Sequence, residues 1–140
     1  MSEKALKMNP AKPDERLSFL DPHPAGKPAV LLLHGLGANK HMWDFQTPAL
    51  SQAGLRPLPV DLPGFGESHF SGKRWHLSIA VKRLLQLFDE MEIEHCVVVG
   101  LSLGGVVAQK LALACPQRVA RLVLVSTFAT LRPRTWSAGW

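Results

Sequence analysis

Apolar and polar positions alternate between two periods along this chain, and the alternation predicts strands and helices in turn. Residues Ala29–Leu33 form an unbroken apolar run ending at His34-Gly35, the pattern of a strand covered on both faces. A short edge strand is expected before it, over residues 17–20. Residues 42–53 fit one short helix stopped by Gly54, and 58–62 a short strand whose ladder Pro57 and Pro59 leave imperfect. A turn-rich stretch covers 63–73.

From 75 to 91, Leu77, Ala80, Val81, Leu84, Leu85, Phe88 and Met91 recur at threes and fours, which predicts an amphipathic helix. Residues 96–99 predict a strand, Leu103–Ala114 an apolar helix closed by Pro116, and Val119–Val125 another buried strand. Strands alternating with helices predict an α/β fold, a mostly parallel sheet with flanking helices. No internal repeat or low-complexity segment interrupts it. The expected organisation is an N-terminal tail over 1–16 and a partial α/β domain over 17–128. Residues 129–140 are then either the start of a further region or a truncated tail.

Composition narrows this further. The 140 residues are 46% apolar, enough for a core and too many for disorder. No run approaches the roughly 20 apolar residues of a membrane span, and the first 28 residues show no signal-peptide pattern, so a cytoplasmic protein is expected. The net charge of +5 hints at nucleic acid until it is divided along the chain. Residues 1–94 carry 11 basic and 11 acidic groups, and the whole excess is Lys110, Arg118, Arg121, Arg132 and Arg134. These stand singly, without the clustering a phosphate backbone requires, so neither a nucleic-acid nor a membrane partner is expected. Cys96 and Cys115 sit in apolar segments and read as buried free thiols. His23, His41, His69, His76 and His95 have no partner at metal-ligand spacing and read as surface or packing residues, so no metal site is expected.

Three strings carry chemistry. In GLSLGG (100–105), between a strand and a helix, a sharp turn crowds the positions two before and two after Ser102, and Gly100 and Gly104 meet that demand. The turn lifts the Ser102 hydroxyl above the strand ends as a candidate nucleophile, and Gly105 lets the helix approach the sheet. In HGLG (34–37), Gly35 and Gly37 let the backbone present the Leu36 amide, which with the Leu103 amide would form an oxyanion hole; His34 reads as a hydrogen-bonded loop anchor. In DLPGFGES (61–68), Asp61 reads as a turn former shaping the loop under the cleft, not as a catalytic carboxylate. Nucleotide binding is not expected: after Gly35 and Gly37 the position a third glycine would need is Lys40, after Gly64 and Gly66 it is His69, and no G-x-x-x-x-G-K-[ST] string occurs.

Those three strings, in that order, with the run 116–126, resemble the N-terminal part of α/β-hydrolase fold enzymes of the esterase and lactonase group. The resemblance covers residues 17–128. It implies a serine hydrolase that acts on an ester, lactone or thioester through an acyl-enzyme at Ser102, with a small acyl substrate and no cofactor. Serine at 102 argues against the dehalogenase and epoxide-hydrolase branches, which use a carboxylate nucleophile. The family triad runs Ser, acid, His in chain order. This sequence has no Asp or Glu after Glu94 and no His after His95, so triad acid and histidine are not present and the isolated chain is expected to turn over little or nothing. The alternative is a non-catalytic half-domain or interaction module derived from a hydrolase. An unfinished sheet edge after Val125 is expected to promote self-association and low solubility.

Overall fold

The Ala29–Leu33 run is strand β1, buried at all five positions, and in the computed structural model it lies inside a four-stranded sheet. The structure describes residues 11–129. After β1 come α1 (Gln46–Gln52), β2 (Arg56–Val60), α2 (Leu77–Glu90), β3 (Cys96–Leu101), α3 (Leu103–Ala114) and β4 (Val119–Val125). The strands are all parallel, in the order β2-β1-β3-β4. The expected α/β class is the one observed.

Alternation along the strands separates two apolar clusters. Leu31, Leu33, Leu58, Val60, Cys96 and Val98 face α2 and α3, which contribute Ala80, Leu84, Phe88, Val107 and Leu111. Val30 and Leu32 face the opposite side, where Trp43 and the half-buried Leu50 of α1 meet them. The sheet is thus covered on both sides over β1, which is why β1 is apolar at every position.

Four elements differ from the sequence expectation. The single helix over 42–53 is a 3₁₀ turn, Lys40–Trp43, followed by α1. Pro48 explains the break. Inside a helix begun at 42 its ring would clash with the carbonyl of Asp44, whereas in the first turn of α1 it is tolerated. The strand over 17–20 reduces to one antiparallel bridge, Phe19 to Val60, because the Ser18 amide donates to Ser68 Oγ at 2.8 Å instead of extending a ladder.

β4 has the expected bounds but is not buried. It is the last strand among the described residues, and Leu122, Val123, Leu124 and Val125 are 36–44% exposed. Cys115, expected to be buried, is only half-buried at the C-terminal cap of α3. Pro57 and Pro59 interrupt nothing. The Pro59 carbonyl accepts from the Leu20 amide at 3.0 Å, so both prolines turn their missing N–H away from β1, on the sheet edge where proline is harmless.

Part of the expected tail is structured: Pro13–Glu15 forms a 3₁₀ turn, and the Ala11 amide donates to Glu90 Oε1 at 3.3 Å. Arg132, Arg134 and the segment 130–140 lie outside the described residues.

Candidate active site

Strand order decides where a site can form. β1 sends its following connection out to β2, on one side, while its neighbour β3 sends its own to β4, on the other. The two loops leave in opposite directions, and the crevice between such carboxyl ends is where open α/β sheets bind ligands. HGLG follows β1 and GLSLGG closes β3, so both strings flank that crevice.

Ser102 stands between β3 and α3 with φ 51° and ψ −114°, a conformation that costs a non-glycine residue about 1–3 kcal/mol. Its amide donates to the Val125 carbonyl at 3.0 Å. Its carbonyl accepts from the amides of Gly105 (3.0 Å) and Val106 (3.2 Å) and from Thr127 Oγ1 (2.6 Å). The residue holds the N-cap position of α3, yet its side chain caps nothing, and Oγ has no hydrogen-bond partner among the described residues.

The glycines around it are a packing necessity. A Cβ at Gly100 would lie 2.4 Å from the Gly104 carbonyl oxygen, and one at Gly104 would lie 2.2 Å from the Leu33 carbonyl oxygen. A Cβ at Gly105 would meet Thr127 at 2.5 Å, so this glycine admits the loop after β4.

The 34–37 loop comes over the same point. A Cβ at Gly35 would lie 3.1 Å from Leu101 Cδ2 and 3.6 Å from Ser102 Cβ. Gly37 adopts φ 74° with nothing within 4 Å of a Cβ, so backbone conformation alone calls for glycine there. Leu36 is 75% exposed. Among the described residues, neither its amide nor that of Leu103 donates in a turn, loop or cap backbone hydrogen bond.

His34 is fully buried, with both ring nitrogens occupied. Nδ1 donates to the Gly35 carbonyl at 2.7 Å, and Nε2 accepts from the Leu62 amide at 3.0 Å, with Phe65 edge-on to the ring. Burial pulls its pKa below the usual histidine range, against the opposing pull of the Gly35 bond and Asp61. A neutral ring with no free nitrogen cannot serve as base to Ser102.

Asp61 is also fully buried and faces Lys40 instead of the crevice. Burial alone would raise its carboxyl, but donors from the Glu67 amide and from the Lys40 ammonium and amide outweigh it and hold it below the usual range. The five remaining histidines carry no chemistry at the site: His41, His69, His76 and His95 are exposed, and His23 bonds the Leu55 carbonyl. Among the described residues no group of three or more His, Cys, Asp or Glu could hold a metal ion, and no helix is long and apolar enough to cross a membrane.

Two residues of this region were not singled out from the sequence. Lys40 and Thr127 have no local motif; each acts on a residue 21 or more positions away, which only the folded chain brings near.

The match to known proteins agrees with this geometry. A family model described as alpha/beta hydrolase fold matches residues 28–140. The chain belongs to the α/β-hydrolase fold family. Within the family it is similar to the bifunctional epoxide hydrolase 2 of Sus scrofa, 34% identical over 118 residues, 83% of this chain and 21% of that protein. It is also similar to the pimeloyl-[acyl-carrier protein] methyl ester esterase of Aeromonas hydrophila, 38% identical over 100 residues, 71% of this chain and 38% of that protein. A hydrolase of Pseudomonas aeruginosa superposes with a TM-score of 0.78 at 40% identity, covering 84% of this chain and 44% of that one. This α/β-hydrolase chain therefore spans less than half the length of each of these relatives.

Proposed function

We propose that Ser102 is the nucleophile of an acyl-transfer hydrolase acting on a carboxylic ester, lactone or thioester. The observation that carries the proposal is the Ser102 elbow: a serine at positive φ, at the carboxyl end of the sheet, with a hydroxyl that has no hydrogen-bond partner among the described residues. Ser102 Oγ attacks the carbonyl carbon and gives its proton to a base. The carbonyl oxygen becomes an oxyanion, received by the amides of Leu36 and Leu103. Collapse breaks the bond to the leaving oxygen or sulfur, which takes the proton. Water then cleaves the acyl-enzyme, releasing a carboxylic acid and restoring Ser102.

Relatives are named as both epoxide hydrolases and esterases. A neutral hydroxyl at position 102 favours acyl transfer over the carboxylate chemistry of epoxide opening. In this reading the base and its orienting acid come from polypeptide other than these residues, since no Asp, Glu or His follows Ser102. The alternative is a non-catalytic half-domain that keeps the elbow as structure. In another serine hydrolase, loss of the histidine costs on the order of a million-fold in turnover, so the chain alone is expected to be nearly inert in steady state.

Labelling by a fluorophosphonate probe separates the readings. Labelling of the chain that disappears in Ser102→Ala supports the nucleophile; labelling of neither, together with labelling of a form extended to carry a later acid and histidine, supports the front part of a hydrolase, and no labelling of any of the three favours the half-domain.

A further inference from the structure

The loop that carries the Leu36 amide has little of its own to hold it. It contains Gly35 and Gly37, its internal backbone bond runs from the Ala38 amide to the Gly35 carbonyl at 3.2 Å, and Leu36 packs against nothing over most of its surface. What holds it lies at its two ends, and both ends reach the 61–68 turn. At the start, His34 Nε2 accepts the Leu62 amide. At the finish, the Lys40 amide donates to Asp61 Oδ1 at 2.6 Å, and the Lys40 ammonium donates to Asp61 Oδ2 at 2.9 Å.

The turn is shaped to hold that carboxylate still. The Glu67 amide donates to Asp61 Oδ2 at 2.9 Å, and Ser68 Oγ donates to the Asp61 carbonyl at 2.7 Å. Gly66, at φ 53°, passes so close that a Cβ there would lie 2.3 Å from Asp61 Oδ2. The Lys40 ammonium also reaches Ser18 Oγ and the Glu67 carboxylate, so it is fully paired. Asp61 is 0% exposed and cannot touch a substrate. Its carboxylate takes the Lys40 amide and ammonium from one loop and the Glu67 amide from the other.

We propose that Asp61 is a positioning residue for the Leu36 amide: by gripping the Lys40 amide and ammonium, its carboxylate closes the far end of the 34–40 loop and keeps that amide beside Ser102. What the amide is for rests on the acyl-transfer reading; how the loop is held does not. The titratable groups facing the carboxylate are Lys40, Glu67 and His34. At neutral pH it is ionised, the state in which it accepts all three donors.

The test is amide hydrogen exchange, resolved residue by residue on the full chain, together with fluorophosphonate labelling of Ser102. In the wild type the Leu62 amide, in a loop, and the Lys40 amide, at the first position of the 3₁₀ turn where no intrahelical acceptor is available, exchange at least about tenfold more slowly than the Leu36 amide. In Asp61→Asn, exchange accelerates at Ala38 and Lys40 while α2 and α3 stay protected, and in Glu67→Gln it does not change. Labelling of Ser102 in Asp61→Asn slows on the order of tenfold to a hundredfold at saturating probe, with the half-saturating concentration unchanged, because the misplaced amide serves the transition state and not probe binding.

A wild-type Lys40 amide that exchanges as fast as that of Leu36 overturns the proposal, even where Asp61→Asn does not fold. So does an Asp61→Asn variant that folds with unaltered exchange over 35–40. If exchange responds as described but Ser102 labels neither in this chain nor in a form extended to carry a later acid and histidine, the acyl-transfer reading fails and the clasp stands.

Discussion

The Thr127 hydroxyl donates to the main-chain carbonyl of Ser102 at 2.6 Å, across 25 residues of sequence. That carbonyl belongs to the residue with the strained φ of 51°, and the Thr127 side chain occupies the space left open above Gly105. The loop after β4 therefore braces the elbow from the side opposite the 34–37 loop. Thr127→Val keeps the volume and removes the donor, and the carbonyl still accepts two amides, so a loss of about 0.5–1.5 kcal/mol is expected. Thr127→Ser is expected to lose far less. Urea unfolding midpoints of the two variants decide it; equal losses would mean that shape, and not the hydrogen bond, matters.

Glycine is needed at 100, 104 and 37 for different reasons, and alanine separates them. At Gly100 and Gly104 a Cβ lands within 2.4 Å of backbone oxygen, which cannot move without shifting β1 or α3. Each substitution is expected to cost about 1–3 kcal/mol or more. At Gly37 there is open space and only the positive φ is penalised, at about 1–2 kcal/mol. Denaturation of the three variants should rank Gly37→Ala mildest, and the reverse order would contradict this account of the elbow.

Acid should weaken the fold in two stages. Burial depresses the pKa of His34, so between its folded and unfolded values the unfolded chain binds the extra proton and stability falls as pH falls. The decline begins near the ordinary histidine value of about 6.5. Asp61 is also depressed, so its contribution is complete above about 3.9 and is lost as pH drops further. Unfolding free energy measured from pH 7.5 to 5 should slope downward in the wild type and flatten in His34→Gln over that range.

The two thiols should differ in reactivity. Burial pushes Cys96 up to about 12, opposed by the nearby Arg118, and its Sγ lies 3.6 Å from the Arg118 carbonyl. Thiolate is the reactive form, so a disulfide reagent at pH 8 should leave Cys96 untouched until denaturant is added, whereas half-buried Cys115 reacts in the folded protein. Two equivalents of rapid reaction without denaturant would contradict the burial of Cys96.

Among the described residues, β4 offers an unpaired apolar edge with Arg121 as its one charge, whereas the β2 edge is blunted by two prolines and the Phe19 bridge. Unguarded edges pair with other chains. The isolated chain is expected to self-associate, and Leu124→Lys to raise the monomer fraction in sedimentation velocity. A sharp, cooperative melt from a monomer at all concentrations would count against this.

Much of the fold was legible because its causes are local. The five-residue apolar run of β1, the threes and fours of α2 and the glycine pair around Ser102 each reflect sterics or burial acting within one element. A single helix over 42–53 does not form because Pro48 permits a first turn but not an interior.

What the sequence alone determined, then, was the kind and order of the elements and the tight turn at Ser102, since φ/ψ sterics and hydrophobic period act over a few residues. Tertiary structure decided what depends on distance. It set β1 beside β3, so that Gly35 and Ser102, 67 residues apart in sequence, meet at one crevice. It left β4 exposed, although its residues are as apolar as those of a buried strand. It also turned Asp61 from a turn residue into the partner of Lys40, because a buried carboxylate must take its donors from whatever backbone and ammonium the packed chain brings within reach.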